Sequence, residues 1–130
     1  MKQTTLTKSE REIMDLLWNT DRPLTATEIV NLTPERTWKK SYIHLLINSL
    51  LDKEMIRSES LVRTGRNFGR AFAAISTREQ FEIRQITEGR NFSQESIKDL
   101  FAALLDAVQD PSVLDELEQL LQEKKNQAAS

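Results

Sequence analysis

From Lys39 to Lys53 the apolar positions recur at helical spacing. Ile43, Leu46, Ile47 and Leu50 fall on one side of a helix. At about 100° per residue the opposite side carries Ser41, Leu45, Asn48 and Asp52, with Tyr42, His44 and Ser49 on the flanks. Lys39 and Lys40 stand at the start of this helix, and Thr37 is the candidate N-cap. The pattern then changes. Ile56 to Val62 and Arg70 to Ile75 read as two strands around a Gly-bracketed basic loop, Arg63 to Gly69. A helix running at once into a basic hairpin predicts a winged helix. In such a unit the helix enters a DNA major groove while the hairpin touches phosphate.

Upstream, two capping boxes announce two more helices. Thr7 and Glu10 open one that runs to about Asn19, with Ile13, Leu16 and Leu17 as its buried stripe and Met14 and Trp18 beside it. Thr25 and Glu28 open a short one holding Ile29 and Val30, which stops at Thr33-Pro34. Three helices and a hairpin therefore occupy residues 1–76. Downstream, Thr77 and Gln80 form a third capping box, for a helix to about Glu88 that carries Phe81 and Ile86. Gly89 is its candidate C-cap. Ser93 caps the next helix, whose apolar residues Ile97, Leu100, Phe101, Leu104, Leu105 and Val108 keep one face. Asp110-Pro111 opens the last, with Val113, Leu114, Leu117, Leu120 and Leu121 on its stripe. The predicted fold is mainly α. It has an N-terminal winged helix-turn-helix with a small β-hairpin wing, and a C-terminal three-helix dimerisation region over 77–130.

Charge sharpens this picture. The whole chain carries a formal net charge of −2, which looks unsuited to nucleic acid. Its distribution is uneven. Residues 36–70 hold eight Lys or Arg against three acids, and residues 91–130 hold three against eight. Phosphate binding needs a local basic surface, and the positive cluster falls on the helix and hairpin. The acidic tail points away from DNA, so its apolar stripes are free to cover each other between two copies. Folding back onto the winged helix is the alternative use for them.

Composition narrows the chemistry. The 130 residues include no cysteine, which excludes disulfides and thiolate metal sites in this chain and fits a reducing compartment. No apolar run approaches the roughly 18 residues a membrane span needs, and the first residues lack a signal-peptide core. A cytoplasmic protein with no membrane contact is expected. The single histidine, His44, is too few for a metal site, and no cofactor-binding motif is present. The three glycines (65, 69 and 89) sit at turns or caps, and no catalytic triad order exists. An enzyme is not expected.

Three segments, Glu10-Arg-Glu-Ile-Met-Asp-Leu-Leu-Trp18, Thr25-Ala-Thr-Glu-Ile29 and Leu46-Ile-Asn-Ser-Leu-Leu-Asp-Lys-Glu-Met-Ile56, together resemble the penicillinase-repressor (BlaI/MecI-like) family. The resemblance covers about residues 5–75, and residues 77–125 follow it in pattern. It implies a winged helix on a dyad-symmetric operator and a C-terminal three-helix region that makes an intertwined homodimer. Members of the family repress β-lactam resistance or copper-handling genes. Their recognition helix usually opens Ser-Pro-Lys-Thr-x-x-Thr, with DNA contacts at the Lys and Thr places. This chain has Lys39-Lys40-Ser41-Tyr42-Ile43-His44-Leu45 there, which turns Ser41, Tyr42 and Leu45 to DNA with different chemistry and implies a different operator. The copper-responsive branch carries a cysteine cluster that this chain lacks. Sensor-cleaved members are cut at an Asn-Phe bond in the penultimate helix. The matching place here is near Ala103-Leu104, and the Asn91-Phe92 pair precedes that helix's core and is read as coincidence. The inducing signal and any upstream sensor or protease stay open.

The candidate DNA contacts are thus Lys39, Lys40, Ser41, Tyr42, Leu45, Asn48, Arg63 and Arg66. Leu45 suits a thymine methyl, Asn48 a base edge, and the two arginines phosphate or the minor groove. Tyr42 is read equally as a DNA contact or as cover for the helix start, and Trp38 as core. The candidate dimer residues are Ile97, Leu100, Phe101, Leu104, Leu105, Val108, Leu114, Leu117, Leu120 and Leu121. The competing reading is a winged-helix module that binds protein and no DNA.

Overall fold

A computed structural model describes residues 5–64, 67–88 and 92–129, with the backbone alone for 60–64 and 67–68. The chain divides into two compact units, Met1–Arg90 and Asn91–Ser130.

The first unit begins with α1 (Lys8–Trp18), followed by a two-residue strand β1 (Leu24–Thr25) and α2 (Ala26–Asn31). A 3₁₀ turn over Lys40–Tyr42 leads into α3 (Ile43–Asp52). Strands β2 (Ile56–Thr64) and β3 (Asn67–Ala74) form the hairpin, and α4 (Arg78–Glu88) closes the unit. All three capping boxes form as the sequence predicts. In the first, the Thr7 N–H donates to Glu10 Oε1 at 2.8 Å, while Thr7 Oγ1 accepts from the Glu10 N–H at 3.2 Å. Thr25 with Glu28 and Thr77 with Gln80 repeat the exchange. Each box satisfies donors that a helix start would otherwise leave free.

The antiparallel sheet has the order β1-β3-β2. β3 is central, pairing Leu24 with Phe72 on one side and Ile56 with Ala74 on the other. β2 is therefore an edge strand. Its register shifts between Ser58 and Ser60, so Glu59 is the extra residue of a β-bulge. The hairpin strands run further than the sequence pattern suggests, reaching Thr64 and resuming at Asn67, within the stretch read as loop. Cross-strand pairing carries them into that stretch, with Arg63 opposite Phe68 and Thr64 opposite Asn67.

One core holds the unit together. Ile13, Met14 and Leu17 of α1 meet Ile29 and Val30 of α2, Ile43, Ile47 and Leu50 of α3, and Leu24, Ile56 and Phe72 of the sheet. Leu16, expected in the buried stripe, is only half-buried and Met14 takes the full place. Phe81 of α4 belongs to the same core and lies 5.4 Å from Trp18, ring centre to ring centre. The first unit therefore extends beyond residue 76, because α4 covers Trp18 as well as starting the helical tail.

The second unit contains α5 (Gln94–Leu105) and α6 (Pro111–Ala129). Ser93 caps α5 by accepting from the Ser96 N–H, and Asp110 accepts from Ser112 at the start of α6. Neither helix buries a single residue among those described. Gly89 and Asn91, singled out in the sequence, lie outside the described residues. No described helix is long and apolar enough to cross a membrane.

Candidate nucleic-acid interface

The approach to α3 is fixed from behind. Glu12 of α1 accepts from the Thr37 N–H at 3.0 Å and from the Thr37 hydroxyl at 2.6 Å. Thr37 is thus bound to α1 and does not cap α3, as its position in the sequence suggested. Trp38 follows it into the core, with the Arg36 guanidinium 5.5 Å above its ring. Lys39 is extended, at φ −75° and ψ 142°, and its carbonyl accepts from the Tyr42 N–H. The helix expected from Lys39 therefore opens with a 3₁₀ turn, and its α-helical part begins at Ile43. A tighter first turn is common at helix ends.

This arrangement separates two faces. Ile43, Ile47 and Leu50 are buried. Lys39, Lys40, Ser41, Tyr42, His44, Leu45 and Asn48 are all exposed, Leu45 at 66 %. No side chain in that exposed set bonds to another described residue through a hydrogen bond or ion pair. Six polar side chains and one leucine therefore project from one helix start with their bonding capacity unspent.

The other basic residues of the region divide by partner. Arg57 is held by Glu59 at 2.7 Å and Lys53 by Glu10 at 2.6 Å. The Arg36 guanidinium donates to the carbonyls of Val30 and Thr33. Arg70 is exposed and lines a groove of about 360 Å³ between α3 and the sheet. His44, Asn48, Thr25 and Thr27 line the same groove. An adjoining hollow brings Thr27 to Lys40, Ser41 and His44. No acidic side chain lines either one. Donors without nearby carboxylates suit an anion.

Of the site residues read from sequence, Lys39, Lys40, Ser41, Tyr42, Leu45 and Asn48 share this surface. Arg66 lies outside the described residues, and so does the side chain of Arg63. Thr27, His44 and Arg70 join the surface without having been ranked as contacts. A capping box at Thr25 does place Thr27 on the exposed first turn of the preceding helix, which was the available signal. Arg57 was counted with the basic cluster but is occupied by Glu59 two residues on.

Behind the interface, Glu10 is 2 % exposed. Its carboxylate accepts from the Ser49 hydroxyl at 2.5 Å, from Lys53 Nζ at 2.6 Å and from the Thr7 N–H. Lys53 Nζ also donates to the Thr5 carbonyl at 2.7 Å. Burial pushes the Glu10 carboxyl up, but the bonds from Lys53, Ser49 and Thr7 outweigh it and hold the pKa at about 2.

Among solved structures, the chain is similar to AF1382 from Archaeoglobus fulgidus, at 16% identity and a TM-score of 0.40, covering 74% of this chain and 90% of that one. It is similar to a mutant of MepR from S. aureus at 10% identity and 0.43, covering 93% and 79%. It is also similar to ZitR of Lactococcus lactis, a zinc-responsive MarR family member, at 15% identity and 0.44, covering 95% and 78%. Similarity at this level says nothing of ligand or partner. No curated protein matches the chain. The model of the penicillinase repressor family matches residues 6–123, taking in α1 to α6 almost entire, and the chain belongs to that family.

Proposed function

We propose that the protein represses transcription as a homodimer that binds a dyad-symmetric DNA operator. The observation that carries this reading is the exposed start of α3, where unpartnered donors line grooves free of acidic residues. Lys39, Lys40 and Arg70 engage phosphate, and Arg63 and Arg66 extend that contact along the wing. Ser41, Tyr42, Leu45 and Asn48 face base edges or the backbone beside them. Leu45 is well exposed for an apolar side chain, and a groove-facing leucine can pack on a thymine methyl.

The dimer reading rests on the second unit. Ile97, Leu104, Leu105, Leu114, Leu120 and Leu121 are exposed, and Leu100, Phe101, Val108 and Leu117 are only half-buried. Each Leu-sized side chain buried against a partner copy stabilises by roughly 1.5–3 kcal/mol. Several such side chains from each chain outweigh the cost of association. A two-fold dimer then presents two α3 helices to successive major grooves.

Selection from random DNA tests both parts at once. The expected product is an inverted repeat with half-sites about one helical turn apart or slightly more. Affinity for it should fall steeply as salt rises. A flat salt response would instead favour the protein-binding module. Recovery of single asymmetric half-sites would contradict the dimer.

A further inference from the structure

We propose that Glu10 is a positioning residue for DNA reading, its buried carboxylate fixing the rotation of α3 through Ser49 and Lys53. The inference rests on the DNA-binding reading above.

Leu45, Ser49 and Lys53 lie four residues apart, on one row of the helix surface. The N-terminal end of that row faces outward at Leu45. Its C-terminal end is tied to Glu10 by two bonds, one on each carboxylate oxygen. Ile43, Ile47 and Leu50 hold the helix to the core, but apolar burial is non-directional and lets a helix roll. The two polar bonds are directional and do not. A roll of about 20° would move a side-chain tip at a radius of about 5–6 Å by about 2 Å. That is enough to break hydrogen bonds to base edges, whose lengths vary by only about 0.5 Å. A buried ion pair is weak evidence for net stability, and its best-attested use is to fix register. Glu10 meets that description from a different helix.

The same pair has a second effect. Lys53 Nζ is spent on Glu10 and on the Thr5 carbonyl. One of the eight basic residues in the 36–70 stretch is thus kept from phosphate. Loss of the Glu10 charge would loosen α3 and free that lysine together. Sequence-specific binding would weaken while binding to arbitrary DNA would hold or strengthen.

The test compares the full-length protein with Glu10→Gln, which keeps the capping-box bonds, removes the charge and turns the acceptor facing Ser49 into an N–H donor. Affinity is measured for the operator selected by the wild type and for a random-sequence duplex of equal length. The expected result is an operator-to-random ratio lowered about tenfold, the scale of one good base contact. Affinity for random DNA should not fall. Equal losses on both duplexes would mark a merely structural role and overturn the proposal. Should Glu10→Gln fail to fold, Ser49→Ala decides, since it removes the bond on α3 and leaves the ion pair. Ser49→Ala should lower the ratio and Ser49→Thr, which keeps the hydroxyl, should restore it. A wild-type ratio near one would sink the DNA reading itself. A high wild-type ratio unmoved by Glu10→Gln or Ser49→Ala would sink the positioning role alone.

Discussion

At the scale of single residues, burial decides which changes act on stability and which on recognition. Leu45→Ala removes a side chain that is 66 % exposed, so the melting temperature should stay within a degree or two. Operator discrimination should fall by roughly 1–3 kcal/mol at one base pair, read by competition against point-substituted operators. Glu10 behaves oppositely with pH. Its folded pKa of about 2 lies below its ordinary 4.5, so its stabilising contribution is complete above that ordinary value. The contribution amounts to about 3 kcal/mol and is lost as pH falls from about 4.5 through 2. Urea midpoints should therefore separate wild type from Glu10→Gln at pH 7 and converge near pH 2. A gap that persists to pH 2 would show that the amide disturbs packing rather than charge.

At the scale of elements, the sequence was legible wherever one local rule set the outcome. Thr7, Thr25 and Thr77 each stand three residues before a Glu or Gln, and each opens a helix. The Gly-bracketed basic loop between Ile56 to Val62 and Arg70 to Ile75 showed the hairpin. Long-range partners were not legible. Thr37 has the chemistry of an N-cap, but Glu12, 25 residues away, takes both its donors. β1 is two residues long, too short for periodicity to register, and exists only because β3 lies beside it. Within the candidate interface, Lys39 to Asn48 could be read from helical spacing. That Thr27 and Arg70 meet them in one groove could not, since folding alone brings these residues together. The place of α4 makes a related point. Phe81→Ala should destabilise the first unit by about 3–5 kcal/mol, because it opens a cavity beside Trp18. By the same contact, a fragment ending at Arg90 should melt higher than one ending at Ser76. Equal melting temperatures would mean that α4 adds nothing to that core.

At the scale of the whole molecule, assembly should follow from the second unit and DNA affinity from the first. Leu104→Asp or Leu117→Asp places a charge in the proposed seam. Sedimentation at tens of micromolar should then give a monomer that binds half-sites weakly and keeps its fold. A dimer that survives both substitutions would place the interface elsewhere. Arg70→Ala should weaken binding to every sequence alike and lower the salt slope by about one. The wing carries one further consequence, from its bulge. As an edge strand of nine residues, β2 has a row of backbone donors and acceptors open to any other extended chain. Two such edges from crowded copies would zip together into insoluble sheet. The bulge at Glu59 breaks the row, and the Arg57–Glu59 pair sets charges beside the break. The open edge of the wing thereby keeps crowded copies of the chain from pairing strand to strand, and so keeps them in solution.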